Sequence, residues 1–293
     1  MVTEGARTAL LRLLRFILIS TDADRLATFY EQALGCRRLA LERHSGAAFE
    51  AAQGVAGAAL SITLGLGRQR IELLQFEHPG RPYPVDALSS DRLFQHVAVV
   101  VRDMPEAFRR LVAVGGWSTI SEHDPVRLPA TSGGVTAFKF RDPEGHPLEL
   151  LAFPASAIPE PWRHGHASHP CLGIDHSAIS VTDTQRSVEF YRGLGLGLTG
   201  STLNSGSEQA ALDGLADPRV AVTALAAAHP TPHLELLCYQ RPSRGNARVE
   251  VRNNDIAATR MLWEARAPRS EAGLHPARPW LDPDGHRLLI VPA

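Results

Sequence analysis

Three closely similar strand-like runs each carry one carboxylate among apolar side chains: IELLQF (71–76), LELLAF (148–153) and LELLCY (234–239), with Glu72, Glu149 and Glu235 second in each. Strand alternation puts Glu149 on one face with Leu151 and Phe153, and Glu235 with Leu237 and Tyr239, while the opposite face is apolar as well. A carboxylate enclosed in this way loses its hydration, which is costly unless it is paired or coordinates a metal. Two histidines are natural partners. His96 begins HVAVVV and His176 begins HSAISV, and each shares its strand face with small side chains, Ala98 and Val100 for the first, Ala178 and Ser180 for the second. Imidazole nitrogens and carboxylate oxygens are donors for a divalent ion, and a metal with open positions supports Lewis-acid and proton-transfer chemistry. A single such histidine is better explained as a core residue; the weight comes from repetition.

The elements that must position these groups do repeat. RFILISTDADRLATFYEQALG (15–35), HVAVVVRDMPEAFRRLVAVGG (96–116) and HSAISVTDTQRSVEFYRGLG (176–195) each read as strand, turn and helix, and ARVEVRNNDIAATRMLWEA (247–265) does so more loosely. Asp22, Asp103 and Asp183 fall at the expected helix starts, and a Gly closes each of the first three helices. Between helix and last strand lie glycine-rich stretches that accommodate two further short strands, so each module is β-α-β-β-β. Modules 1 and 3 share Phe-Tyr in the helix (Phe29-Tyr30, Phe190-Tyr191), whereas modules 2 and 4 share the turns DPEGH (142–146) and DPDGH (282–286). The order is A-B-A-B, as if a two-module ancestor had been duplicated. The expected organisation is a first domain over 1–155 (modules 14–78 and 93–155), a Pro- and His-rich linker over 156–172, and a second domain over 173–293 (modules 173–241 and 246–293).

This pattern, and the RDPEGHPLELL ending in particular, resembles the vicinal oxygen chelate superfamily, the group of glyoxalase I, bleomycin-resistance proteins and extradiol dioxygenases. The resemblance implies an α+β fold in which four βαβββ modules pair into two open, barrel-like sheets around cavities. It also implies a site drawn from four positions, the start of the first strand and the Glu of the last strand in each of two paired modules.

Aligned on the turn Asp, His96 and His176 hold equivalent positions, and the same offset from Asp22 reaches Arg15. In module 4 it reaches about Ala247, and Leu289 stands where the Glu would be. Neighbour pairing, 1 with 2 and 3 with 4, would give one cavity Glu72, His96 and Glu149 and leave the other His176 and Glu235. Pairing 2 with 3 and 1 with 4 would give one complete set, His96, Glu149, His176 and Glu235, and one empty cavity. The second pairing is favoured, because losses confined to one of two duplicated sites need the simpler history.

One divalent ion is the implied cofactor, with Fe, Ni, Co, Mn and Zn all compatible with two imidazoles and two carboxylates. A carboxylate that leaves the ion, Glu149 or Glu235, can serve as general base, which points to a lyase or isomerase working through an enolate-type anion on a small oxygen-chelating metabolite. An extradiol-type ring-cleaving dioxygenase and a non-catalytic, drug- or metabolite-sequestering protein are the alternatives. Asn204, Glu208 and Gln209, on an expected second strand, are candidates for binding substrate. His164, His166 and His169 are read as solvated linker residues, and His146 and His286, in tight turns, as structural.

Thirty Lys plus Arg against 31 Asp plus Glu, with no basic block, argues against nucleic-acid or membrane partners. Cys36, Cys171 and Cys238 lie far apart without a CxxC spacing, so a disulfide framework is not expected and a reducing cytoplasm is the natural compartment. The apolar opening is interrupted by Arg12 and Arg15 and reads as the lead-in to a buried strand rather than a signal or membrane span. A small-molecule substrate is expected, and a homodimer stays open.

Overall fold

The computed structural model describes residues 8–163, 169–242, 250–266 and 280–293. Module 1 comprises β1 (Ala9–Ile19), α1 (Ala23–Leu34), β2 (Arg37–His44), α2 (Ala47–Gln53), β3 (Ala59–Leu66) and β4 (Gln69–Phe76). Module 2 comprises β5 (Gln95–Val101), α3 (Met104–Val114), the two-residue strands β6 (Ser118–Thr119) and β7 (Val126–Arg127), then β8 (Thr136–Arg141) and β9 (Pro147–Ala152). After α4 (Glu160–Arg163), module 3 runs through β10 (Cys171–Ser180), α5 (Thr184–Gly193), β11 (Gly197–Ser205), α6 (Ser207–Asp213), β12 (Arg219–Ala226) and β13 (His233–Arg241). Module 4 contributes β14 (Arg260–Arg266), β15 (Trp280–Leu281) and β16 (Arg287–Pro292).

The three aspartates start their helices as capping chemistry requires. Asp22 accepts from the Arg25 amide, Asp103 from Glu106 and Asp183 from Arg186, each at 3.0 Å. Two connecting segments differ from expectation: 47–53 and 207–213 are short helices rather than strands. Both are alanine-bearing segments that follow a Gly and end at a glycine in the left-handed region, Gly54 and Gly214. Module 4 also differs. Residues 260–266, expected within a helix, form a strand, because Met261, Trp263 and Ala265 alternate as one buried face. Ala247 lies outside the described residues.

The strands form two open mixed sheets, which makes the fold α+β. One has the order β15-β16-β14-β1-β4-β3-β2 and the other β11-β12-β13-β10-β5-β9-β8-β6, with β7 paired to β8. Each first strand lies parallel to the last strand of its own module: β1 to β4, β5 to β9, β10 to β13 and β14 to β16. The joins between modules are antiparallel, β1 to β14 and β5 to β10. Modules 2 and 3 therefore share one sheet, and modules 1 and 4 the other.

Modules 1 and 2, and likewise modules 3 and 4, lie in different sheets and are tied by the two marks that alternate along the chain. Tyr30 of α1 donates to Asp142 at 3.0 Å, and Tyr191 of α5 donates to Asp282 at 3.0 Å. Each Asp also gathers backbone amides of its own turn, which folds tightly because Gly145 (φ 97°) and Gly285 (φ 101°) adopt a conformation that side chains resist. The turn histidines reach across as well, His146 Nε2 to the Ile19 carbonyl and His286 Nε2 to the Ser180 carbonyl. Both are structural.

One hydrophobic cluster spans the helix-covered faces of both sheets, drawing on Phe16 and Leu18 of β1, Val97 and Val99 of β5, and Tyr30, Leu111 and Tyr191 of the helices. The opposite faces remain for sites. Cys36, Cys171 and Cys238 are free thiols. No helix among the described residues is long and apolar enough to cross a membrane.

Candidate metal centre

The centre forms where β9, β5, β10 and β13 lie side by side. On the antiparallel join, His96 lies opposite Ala178 and His176 opposite Ala98, so the two imidazoles are diagonal neighbours on one face with ring centroids 5.6 Å apart. Parallel pairing then places Glu149 beside Ala98 and Glu235 beside Ala178. The small residues opposite each histidine are what let four polar side chains converge. His96 Nε2 is 2.8 Å from Glu149 Oε2, and His176 Nε2 is 3.5 Å from Glu235 Oε2. Donor atoms of His96, Glu149 and His176 all lie within 4.8 Å of one another.

This arrangement fits a divalent ion. Both ring nitrogens of His96 are buried without a hydrogen-bond partner, so its close approach to Glu149 lacks hydrogen-bond alignment and instead resembles two donors aimed at a common point. Ligands at about 2.0–2.2 Å from one ion stand about 3 Å apart. Burial holds the His96 pKa down against the pull of Glu149; burial pushes the Glu149 pKa up, but the facing His96 and then Lys139 bring it below the usual carboxylate range.

The second layer is equally ordered. Asp175 lies 3.0 Å from His176 Nδ1 and accepts from the Trp162 indole at 2.9 Å, which turns His176 Nε2 towards the cluster. Burial opposes charge on His176, yet Glu235 and Asp175 outweigh it and raise its pKa to about 9. Glu235, which burial alone would push up, is lowered to about 2 by His176 and His233. His233 stands 3.5 Å from Glu235 Oε1 and 3.7 Å from Asp175 Oδ2, and with Asp175 and His176 forms a second group of candidate ligands.

Sequence reasoning missed Asp175, His233 and Trp162. His233 was legible in principle, two residues before Glu235 on the same strand face, but the equivalent positions hold Arg70 and Pro147, so no repeat marks it. Trp162 lies in the segment read as linker, of which residues 160–163 are helical. His169 is partly buried and its Nδ1 accepts from the Cys171 amide, while His164 and His166 lie outside the described residues.

All four expected ligands line a cavity of about 500 Å³, with an apolar wall that includes Leu128, Leu151 and Val222 and a polar side made by Lys139, Asn204, Gln209 and Tyr239. Asn204 and Gln209 are thus in the cavity, on β11 and α6. Glu208 is not: it is exposed on α6, where its carboxylate accepts from Ser207.

The register-equivalent positions of the other sheet hold Arg15, Glu72, Arg260 and Leu289, by the pairings Arg15 to Leu262, Ile17 to Glu72, Ile17 to Arg260 and Leu262 to Leu289. Arg15 binds Glu72 at 2.9 Å. Glu72 therefore does not join His96 and Glu149, and the alternative trio is not brought together. Arg260, not Ala247, occupies the module 4 position; it is fully buried, bonded to Gln53 and the Asn253 carbonyl, and its pKa is lowered to about 9 by burial and by Arg287. Ile17, Leu262, Leu289, Ile256 and the α2 residue Phe49 pack over this face.

Residues 12–150 match the model of the Glyoxalase/Bleomycin resistance protein/Dioxygenase superfamily. That segment, modules 1 and 2, belongs to that superfamily. No curated protein matches it. Among solved structures, glyoxalase I from Zea mays is similar over 96% of this chain and 92% of its own, at 19% identity and a TM-score of 0.59. A "putative dioxygenase" from Bacillus subtilis is similar over 92% of this chain and 74% of its own, at 12% identity and a TM-score of 0.52. At such identities the likeness is one of fold. In this chain, the sheet of modules 2 and 3 carries the donor set, and the sheet of modules 1 and 4 carries Arg15, Glu72, Arg260 and Leu289 in its place.

Proposed function

We propose that this protein is a metal-dependent lyase or isomerase acting on a small metabolite with two neighbouring oxygens, through an enolate-type anion. The observation that carries this reading is the convergence of His96, Glu149, His176 and Glu235 on the wall of one cavity. A divalent ion held there, drawn from Fe, Ni, Co, Mn or Zn, would supply Lewis acidity that polarises the substrate oxygens. The chain's own residues do the rest. Asp175 fixes the tautomer and aim of His176. Glu235 is the better placed general base, because its other oxygen faces His233 at 3.5 Å, a group able to share the proton it takes from carbon. The apolar wall keeps water from the anion.

A ring-cleaving dioxygenase is the second reading, favoured by the tight trio of His96, His176 and Glu149, two imidazoles and one carboxylate. A purely sequestering protein has no use for this donor set. We read the halves 1–155 and 173–293, joined by 156–172, as duplicated domains that have exchanged partners, and the protein as cytoplasmic.

The test is solvent exchange. Metal-loaded protein in D₂O should incorporate deuterium at the carbon next to the carbonyl of dihydroxyacetone, and Glu235→Gln should abolish this while metal remains bound. Oxygen uptake with catechol and no exchange would favour the dioxygenase instead.

A further inference from the structure

The polar side of the cavity is organised by one buried carboxylate that the metal centre does not use. Asp213, at the end of α6, has a fully buried side chain. Its Oδ1 accepts from Lys139 Nζ at 2.7 Å, and its Oδ2 accepts from Gln209 Nε2 at 2.7 Å and from the Tyr239 hydroxyl at 2.9 Å. Lys139 projects from β8 directly beside Glu149 on β9, so its ammonium stands next to the metal centre. The buried ion pair with Asp213 is what holds it as an ammonium.

Two groups in this cluster keep spare hydrogen-bonding capacity. Because Gln209 gives its amide N–H to Asp213, its Oε1 is the free end, and that oxygen is buried without a partner in a residue that lines the cavity. An unmet buried acceptor is destabilising, a cost that a bound ligand removes. An ammonium has three N–H groups, and Asp213 takes one of those on Lys139. A donor and an acceptor are thus hung from the two oxygens of one carboxylate. A hydroxyl is the group that satisfies both, accepting from Lys139 and donating to Gln209.

We propose that the substrate carries, besides its two chelating oxygens, a hydroxyl that docks between Lys139 and Gln209, with an apolar body against Leu151 and Val222. This rests on the metal-centre reading for the chelating end only. A substrate bearing several negative charges is disfavoured, because Lys139 is already neutralised by Asp213.

Isothermal titration with isosteric catechol pairs tests it: 4-(hydroxymethyl)catechol against 4-ethylcatechol, and 4-(2-hydroxyethyl)catechol against 4-propylcatechol, so that reach is sampled. Manganese-loaded wild-type protein should prefer the hydroxylated member of at least one pair by about tenfold or more. Gln209→Met should erase that preference while the alkyl catechols bind as before and metal content is unchanged. Ratios near one in the wild type, no binding by either pair, or a preference that survives in Gln209→Met would overturn the proposal. The wild-type ratio needs no variant. Failure of the metal reading has a different signature: affinities unaltered by chelator treatment, with the hydroxyl preference intact.

Discussion

His96 and His176 stand diagonally across the β5–β10 ladder with ring centroids 5.6 Å apart, although they come from opposite halves of the chain. Each histidine has its carboxylate on the adjacent parallel strand, Glu149 for one and Glu235 for the other. Neither half holds the complete donor set by itself. The half-site of module 1 is closed by the Arg15–Glu72 pair, and that of module 4 is replaced by buried Arg260 and Leu289.

Asp175 should govern metal affinity without being a ligand. It holds His176 Nδ1 at 3.0 Å and is itself fixed by Trp162. Asp175→Asn should weaken metal binding by about 10- to 100-fold, measured by competition with a chromophoric chelator, with one ion still bound at saturation. Unchanged affinity would mean that His176 does not coordinate.

Tyr30 and Tyr191 should matter to stability and not to metal. Each donates to a buried aspartate in the module that follows it in sequence. Tyr30→Phe and Tyr191→Phe should each lower unfolding free energy by about 1–3 kcal/mol in urea titrations, since Asp142 and Asp282 lose a donor. The double variant should show the sum, because the contacts share no partner.

The contribution of His146 should depend on pH. Burial disfavours its charge, but Asp142 at 2.8 Å outweighs burial and raises its pKa. A folded pKa above the unfolded value of about 6.5 means that the stabilisation is fully present below that value and is lost as pH rises through the folded pKa. His146→Gln should therefore cost more stability at about pH 5.5 than at about pH 10. Equal losses at both would show that the imidazole acts only as a neutral hydrogen-bonding group.

Much of this site was legible in the sequence because its parts recur. The LELL strands repeat their Glu, and His96 and His176 precede equivalent helix caps, so period and register place them before any coordinates. What did not recur was not legible. Asp175, His233 and Trp162 have no counterparts in other modules, and RMLWEA suits a helix as well as a strand until its partners β1 and β16 are known. The repeat calls for strands where AAFEAAQ and SEQAALD lie, whereas flanking glycines and alanine content turn these segments into helices. Spacing alone left both module pairings open; the β5–β10 ladder decides which ligands can meet.

The most direct test is the metal content of protein purified without chelators, compared among wild type, His176→Ala and Glu72→Ala. The wild type and Glu72→Ala should each hold about one equivalent of divalent ion, because Glu72 lies in the other sheet bound to Arg15, and His176→Ala should lose it. Retention of metal by His176→Ala together with its loss from Glu72→Ala would contradict a centre built between modules 2 and 3.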